Sequence, residues 1–317
     1  MRVLHITNNF PTSRFPIFGI FVKEQIDSLT DLGLKNEIFF INGREKGKYE
    51  YIWSIYRLRR LLKKEKYDII HCHHAFSAIC FILSGYSDVN RSIVSYQNDP
   101  EHEQGLHVYN FIKRYIDIIL LKNNSIIINN KDVIYLPNGV NIDFFRPIER
   151  NEACNKLNLD KSKIYVLFVS SNYDREQKRY DKFCRVIDTL KSKYNLIDVE
   201  ELKLINIQRD LVPYYFNAAS LHLLTSDFEG SPNSVKEAMS CNIPVVATDV
   251  GNVNELLADA KVSYAAIKNT VEELSELAYK ALTCKEKNNN NRDIIIKKKL
   301  DINSVAENIN KLYLSLL

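Results

Sequence analysis

Short β-branched runs separated by helix-length stretches fill both halves of this sequence, and that alternation restricts the chain to an α/β architecture. In the first half the strand candidates are RVLHIT (2–7), EIFFI (37–41), DIIHCHH (68–74), SIVSY (92–96) and SIIIN (125–129). Helical segments are expected near 20–31, 51–65, 75–84 and 108–121. Strands and helices alternating in this way build parallel sheets covered on both faces. The stretch YLPNGVNIDFFRP (135–147) interrupts the series with Pro137, Asn138-Gly139 and Pro147, residues of turns and linkers. A second series follows, with strand candidates IYVLFVS (164–170), ELKLI (201–205), LHLLT (221–225) and IPVVAT (243–248). The pattern predicts two facing, doubly wound, Rossmann-like domains, 1–146 and 147–301, with a cleft between them. Ligands of such sheets bind beyond the carboxyl ends of the strands. A terminal helix, 302–317, carries Val305, Ile309, Leu312 and Leu316 on one stripe that must be buried. Packing back on the N-terminal domain is one way to bury it.

Composition narrows the function classes. A chain of 317 residues with 45% hydrophobic and 26% charged residues has the usage of a globular protein large enough for two cores. The formal charge of +4 is too small to support a general nucleic-acid role. Six cysteines, at 72, 80, 154, 184, 241 and 284, form no CxxC pair, so reduced thiols in a cytoplasmic protein are expected. The opening MRVLHITNNF has a strand-like run in place of a signal peptide's apolar segment, and no apolar run of about 18 residues occurs. The expected location is the cytoplasm.

The stretch FEGSPNSVKEAMSCNIPVVATDVG (228–251) sets Glu229 and Glu237 on either side of a small polar turn and follows them with an apolar strand. Proline suits the first turn of a helix, so Pro232 is expected to open one, with Ser231 as its N-cap. Unpaired amides at that helix end suit oxygen-rich or anionic ligands. Here the chain resembles the family 4 glycosyltransferases, whose two α/β domains make the GT-B fold and whose signature places two glutamates with seven residues between them. The resemblance extends to PTSRFPIFGIFVKEQIDSL, YDIIHCHH, LPNGVNIDFFRP, LVPYYFNAASLHLLTSDFEGSPNSVKEAM and PVVATDVGNVNEL. It implies that Glu237 binds the ribose hydroxyls of a sugar nucleotide and Glu229 a hydroxyl of the transferred sugar, with Gly230, Ser231, Asn233 and Ser234 helping to hold that sugar. A carboxylate suits a vicinal diol because it only accepts.

The same resemblance places a lysine and an arginine near the donor diphosphate. Lys178 matches the lysine, but Ser171 or Asn172 stands where the arginine belongs, leaving Arg175 or Arg179 to supply the charge. In the first domain many relatives have His-Gly after the strand equivalent to SIVSY, whereas this chain has Gln97 and Asn98. Glutamine cannot shuttle a proton, yet retaining enzymes of the family are commonly read as using the donor's own phosphate as base. Asp99, as a catalytic candidate, and His102 and Glu103 are expected contacts to acceptor or donor. Gly19 would let amides approach donor phosphates or acceptor. His73 or His74, at a strand end, is expected to line the cleft, and His71 with His73 lacks the further ligands of a zinc site.

The function expected from this resemblance is transfer of a sugar from a nucleotide-diphosphate sugar to an acceptor hydroxyl, retaining, in polysaccharide or glycolipid biosynthesis of the cell envelope. The alternatives are a non-catalytic GT-B partner subunit and, less favoured, a sugar-nucleotide epimerase. No cofactor and no metal are expected, since no Asp-x-Asp occurs. The expected partners are the nucleotide-sugar donor and a glycan or lipid-linked acceptor, with no nucleic acid. The stretch YIWSIYRLRRLLKKEK (51–66) reads as a helix packed through Ile52, Ile55, Leu58 and Leu62, with Arg57, Arg60, Lys63, Lys64 and Lys66 available to anionic lipid and Trp53 at headgroup level. Peripheral contact with the inner face of the cell membrane is therefore a further expectation.

Overall fold

A computed structural model describes residues 1–123, 132–170, 172–205, 207–284 and 289–317. The first series comprises β1 (Arg2–Thr7), α1 (Ile20–Asp31), β2 (Lys35–Phe40), α2 (Gly43–Lys46), α3 (Tyr49–Lys64), β3 (Ile69–His73), α4 (Ala75–Leu83), β4 (Arg91–Ser95), α5 (Pro100–Glu103), α6 (Leu106–Ile112), β5 (Ile118–Leu121) and β6 (Val133–Tyr135). The second comprises α7 (Arg150–Leu157), β7 (Ile164–Val169), α8 (Tyr180–Ser192), β8 (Val199–Leu204), α9 (Val212–Ala218), β9 (Leu221–Leu224), α10 (Asn233–Ser240), β10 (Val245–Thr248), α11 (Val253–Leu257), β11 (Tyr264–Ala266), α12 (Val271–Thr283) and α13 (Asn291–Lys297). The last helix is α14 (Ile302–Leu316).

Two parallel sheets result, ordered β2-β1-β3-β4-β5-β6 and β11-β10-β9-β7-β8. Each is doubly wound, as the alternation predicts. Ile118–Leu121 is a strand rather than the end of a helix over 108–121, because its four residues are all buried and pair with β4 and β6. The strand expected at 125–129 lies outside the described residues. None of the six cysteines forms a disulfide.

The chain divides into Met1–Gly139 with Ile302–Leu317, and Val140–Asp301. The division falls seven residues before the expected boundary at 146, and hydrogen bonding explains why. The Val140 amide donates to the Leu300 carbonyl at 2.9 Å, and the Phe145 ring is buried against Phe216 in the core of the second unit. In the first unit α14 lies against α1. Val305, Ala306, Ile309 and Tyr313 are buried with Val3, Leu29, Ile69 and Ile93, while Leu312 and Leu316 are partly buried at the margin.

Helix α3 differs from its expected orientation. Leu58 and Leu62 are buried and Tyr51, Ile55 and Leu61 pack beside them, but Ile52 is 65% exposed. With Tyr49, Trp53 and Tyr56, Ile52 forms an exposed apolar row at helical spacing, one turn before Arg60, Lys63 and Lys64. Arg57 belongs to neither face: it pairs with buried Glu50, donates to Ser54 Oγ at 2.8 Å and lies over the Phe39 ring.

Candidate functional site

In the second unit, loops after β7, β8, β9 and β10 meet at the carboxyl edge of the sheet, where parallel-sheet ligands bind. Chain 225–232 connects β9 to α10. Gly251, after β10, has φ +58°, and a Cβ there would fall 2.1 Å from the Gly230 carbonyl oxygen. Only glycine fits so close an approach. The Asn252 amide donates to that same carbonyl at 3.1 Å, so the glutamate turn is held from below.

Helix α10 starts at Asn233, with Pro232 as its N-cap at φ −65° and ψ 115°. Ser231 is therefore not the cap expected from the sequence. Its hydroxyl instead accepts from the buried ammonium of Lys236 at 2.9 Å. Ser234 Oγ shares a hydrogen bond of 3.1 Å with His222 Nε2, so both serines are engaged within the protein. Asn233 Oδ1 is buried and meets no donor among the described residues. It stands at the helix end whose amides are oriented for an anion.

Lys178 Nζ lies 2.6 Å from Glu229 Oε1, and Ser226 Oγ donates to the same oxygen at 2.8 Å. The two charged side chains are only 13% and 12% exposed. The lysine loop is docked on the glutamate loop by one backbone bond, Asp227 N to Gln177 O at 2.9 Å, and two side-chain-to-backbone bonds, Gln177 Nε2 to Phe228 O at 2.6 Å and Thr225 Oγ1 to Lys178 O at 2.9 Å. Lys178 and Glu229 are thus brought together at this edge of the sheet. Arg175 is exposed and donates to Gln177. Arg179 is committed elsewhere, since Asp181 and Asp227 bind its guanidinium and raise its pKa further. Ser171 lies outside the described residues, and Asn172 accepts from the Asp174 amide. A cation does approach the second glutamate: Arg209 Nη1, after β8, is 3.8 Å from Glu237 Oε1.

The first unit assembles a second polar cluster at the carboxyl edge of its own sheet. Glu103, 7% exposed, accepts from the amides of Ala75 at 2.9 Å, Gln97 at 2.8 Å and Asn98 at 3.3 Å, with His74 Nδ1 at 3.4 Å. Burial pushes its pKa up, but the His74 ring and the Ala75 and Gln97 amides outweigh this and hold it below the ordinary range. Glu103 is therefore not an exposed contact for acceptor; its carboxylate fixes the loop that carries Gln97, Asn98 and Asp99. Gln97 Oε1 accepts from Asn138 Nδ2 at 2.9 Å. Asp99 precedes the short helix α5, and His102 is exposed on it. Lys122, at the end of β5, is buried and donates to the Leu136 carbonyl at 3.1 Å; burial lowers its pKa to about 7, opposed by the Glu103 charge.

Of the two histidines expected at this strand end, it is His74 that reaches the cluster. His73 is fully buried, whereas His74 faces the cluster, its Nε2 2.7 Å from Asn9 Nδ2. His74 adopts φ 77° and ψ 153°, a conformation glycine favours, held by the contacts to Asn9 and Glu103. Gly19, at φ 69°, is closed against the same loop: a Cβ would lie 2.3 Å from the Asn9 carbonyl. The glycine is explained by this packing.

His73 joins His5 and His71 within the sheet. His5 Nδ1 and His73 Nε2 share a 3.1 Å hydrogen bond, while His71 is engaged by Tyr313 OH at 2.6 Å and Ser95 Oγ at 2.7 Å. Their ligand atoms lie within 4.8 Å of one another, close enough to consider a metal. Ring geometry argues against one. A bound metal lies in the plane of each imidazole, and the His71 and His73 rings are stacked with centroids 4.4 Å apart and planes 20° from parallel. Burial depresses all three pKa values, His5 to about 4, so the stack is neutral.

Residues 200–300 match the family model described as glycosyl transferases group 1, and residues 30–128 match that described as Glycosyltransferase Family 4. The chain is 28% identical over 243 residues to an uncharacterized 41.2 kDa protein in the cps region of Klebsiella pneumoniae, covering 63% of this chain and 65% of that one. It is 21% identical over 248 residues to the UDP-Gal:alpha-D-GlcNAc-diphosphoundecaprenol alpha-1,3-galactosyltransferase of Escherichia coli, covering 64% and 63%. The chain thus spans just under two thirds of each relative's length. Anabaena HepE, solved in complex with UDP-glucose, superposes with a TM-score of 0.70 at 14% identity over the whole of both chains. The fold is therefore GT-B, and one segment in each half of the chain matches a glycosyltransferase family model.

Proposed function

We propose that the chain is a glycosyltransferase that moves one sugar from a nucleoside-diphosphate sugar to an acceptor hydroxyl, with retention at the anomeric carbon and without a metal ion. The observation that carries this reading is the Lys178–Glu229 pair, 2.6 Å apart beside the Asn233 end of α10, in loops at the carboxyl edge of the second sheet. The likeness to a protein solved with UDP-glucose supports the donor class. In this scheme Glu237 receives the ribose diol, Glu229 a hydroxyl of the sugar, and Lys178 with the α10 amides the diphosphate. The acceptor oxygen bonds to the anomeric carbon as the carbon–oxygen bond to the diphosphate breaks. The electron pair goes to the departing phosphate oxygen, where Lys178 offsets the growing charge, and the acceptor proton passes to phosphate.

The first unit supplies the acceptor side, with Gln97, Asn98, Asp99 and His102 as contacts and Glu103 holding their loop. A lipid-linked acceptor at the inner face of the cell membrane is favoured by two observations. One relative is named for a diphosphoundecaprenol acceptor, and α3 exposes Tyr49, Ile52, Trp53 and Tyr56 near Arg60, Lys63 and Lys64. Aromatic and basic residues in that arrangement suit an anionic headgroup layer. No helix among the described residues is long and apolar enough to cross a membrane.

Nucleotide release from UDP-, GDP-, ADP- and dTDP-sugars, with and without lipid-linked acceptors, tests this reading. Acceptor-dependent release with retained anomeric configuration is expected. Binding without release would point to the partner subunit, and an epimerised donor to the epimerase.

A further inference from the structure

We propose that Arg209 is a positioning residue of the donor site, orienting the Glu237 carboxylate toward a ribose diol and so setting a preference for ribonucleotides over 2′-deoxyribonucleotides. The inference rests on the donor reading of Glu237 given above. It concerns a side chain that the signature does not include, 28 residues before that glutamate in the chain.

Arg209 opens a single 3-10 turn, Arg209–Leu211, just after β8. Its guanidinium lies 4.9 Å from the centroids of both Phe144 and Phe145. Those rings meet edge to face, with centroids 5.0 Å apart and planes at 89°, and Phe145 is 1% exposed. Two fixed aromatic faces therefore hold the cation before any ligand arrives, so little side-chain freedom remains to be lost. From that seat Nη1 reaches 3.8 Å from Glu237 Oε1, with the two side chains 25% and 16% exposed.

A glutamate one turn inside a helix has several rotamers open to it. A guanidinium on one oxygen favours those that keep the carboxylate at the mouth of the turn. Each carboxylate oxygen has two acceptor sites, so Oε1 can meet Arg209 and still take one ribose hydroxyl while Oε2 takes the other. Removing the 2′-hydroxyl leaves one of those acceptors without its donor, which is how a polar site discriminates against an analogue that lacks a group. Lysine would not replace arginine here, since a compact ammonium lacks the planar face that the two rings hold.

The test is calorimetric titration of UDP and 2′-deoxy-UDP into the full chain, extended to the GDP, ADP and CDP pairs to find the base it accepts. The expected result is that the native chain prefers the ribose form, that Arg209→Ala weakens it by about tenfold and that the deoxy form changes less than about twofold. Arg209→Lys should retain the melting temperature while losing most of the preference. Adding Arg209→Ala to Glu237→Ala should cost nothing further, because the arginine acts through the glutamate. Equal loss for both nucleotides, additive losses in the double variant, or an unchanged ribose preference in Arg209→Ala would overturn the role of Arg209 while leaving Glu237 in place. A native chain that binds neither form, or both alike, overturns the donor reading and this inference together.

Discussion

Lys178 and Glu229 are 51 residues apart in sequence and 2.6 Å apart in space, and the hydroxyl of Ser226 donates to the same glutamate oxygen. A cation and an acceptor-only group placed together, each largely shielded from water, suit a ligand that carries both phosphate and hydroxyl groups. Glu229→Gln should therefore reduce turnover with an intact sugar nucleotide by about tenfold or more while changing nucleoside diphosphate affinity little. Lys178→Met should weaken the diphosphate by about tenfold and the nucleoside hardly at all. Kinetics with calorimetry separates the two, and equal losses for nucleoside and diphosphate would indicate a misfolded loop.

Metal independence is a second expectation. The chain contains no Asp-x-Asp, and the proposed neutralisation comes from Lys178 and helix-terminal amides. Transfer should survive EDTA. Complete loss, restored by Mn²⁺, would contradict this.

The buried histidines predict acid sensitivity. His5 and His222 have pKa values lowered from 6.5 to about 4 by burial, and His71 and His73 are lowered well below 6.5. In the window below 6.5 the unfolded chain takes up protons that the folded chain does not, so stability is full above pH 6.5 and falls toward pH 4. At pH 5 His5 and His222 each remove about 2 kcal/mol, and His71 and His73 act in the same direction. Thermal melts at pH 7.5 and pH 5 should show a drop of several degrees; a higher melting temperature at pH 5 would contradict the neutral stack.

Glu103 binds three backbone amides and approaches His74, so its loss should loosen the Gln97–Asn98 loop. Glu103→Ala should cost about 2–4 kcal/mol, with Glu103→Gln recovering part of it. Hydrogen exchange at the Gln97 and Asn98 amides should accelerate in the alanine variant. Unchanged exchange there would mean that the carboxylate does not hold the loop.

The exposed row on α3 predicts salt-sensitive flotation with anionic vesicles. Lys63→Glu with Lys64→Glu should abolish it, and Trp53→Ser should weaken it at all salt concentrations, each basic residue near the surface contributing about 1 kcal/mol. Equal flotation with neutral vesicles would remove the electrostatic part of the proposal.

Much of this arrangement was legible in the sequence, for identifiable reasons. Strand and helix alternation survives translation into structure because period and punctuation are local. Glu229 and Glu237 stand out because a proline, a glycine and an apolar strand surround them. Other features depend on neighbours remote in sequence. The stripe of α3 includes Tyr51 and excludes Ile52 because α4 covers one side of the helix. His73 packs on His5 and His71, and the hydroxyl that engages His71 belongs to Tyr313 at the far end of the chain. The Ser231 cap failed when Lys236 engaged its hydroxyl, and Arg209 left no local signal near Glu237.

Donor binding by the second unit is tested most directly by titrating UDP, GDP, ADP, CDP and dTDP into the native chain and its Glu237→Ala variant. The expected result is clear binding of at least one ribonucleoside diphosphate, weakened by about tenfold or more in the variant. No binding by any of the five, or an affinity that Glu237→Ala leaves unchanged, would contradict the assignment of this site to a nucleotide sugar.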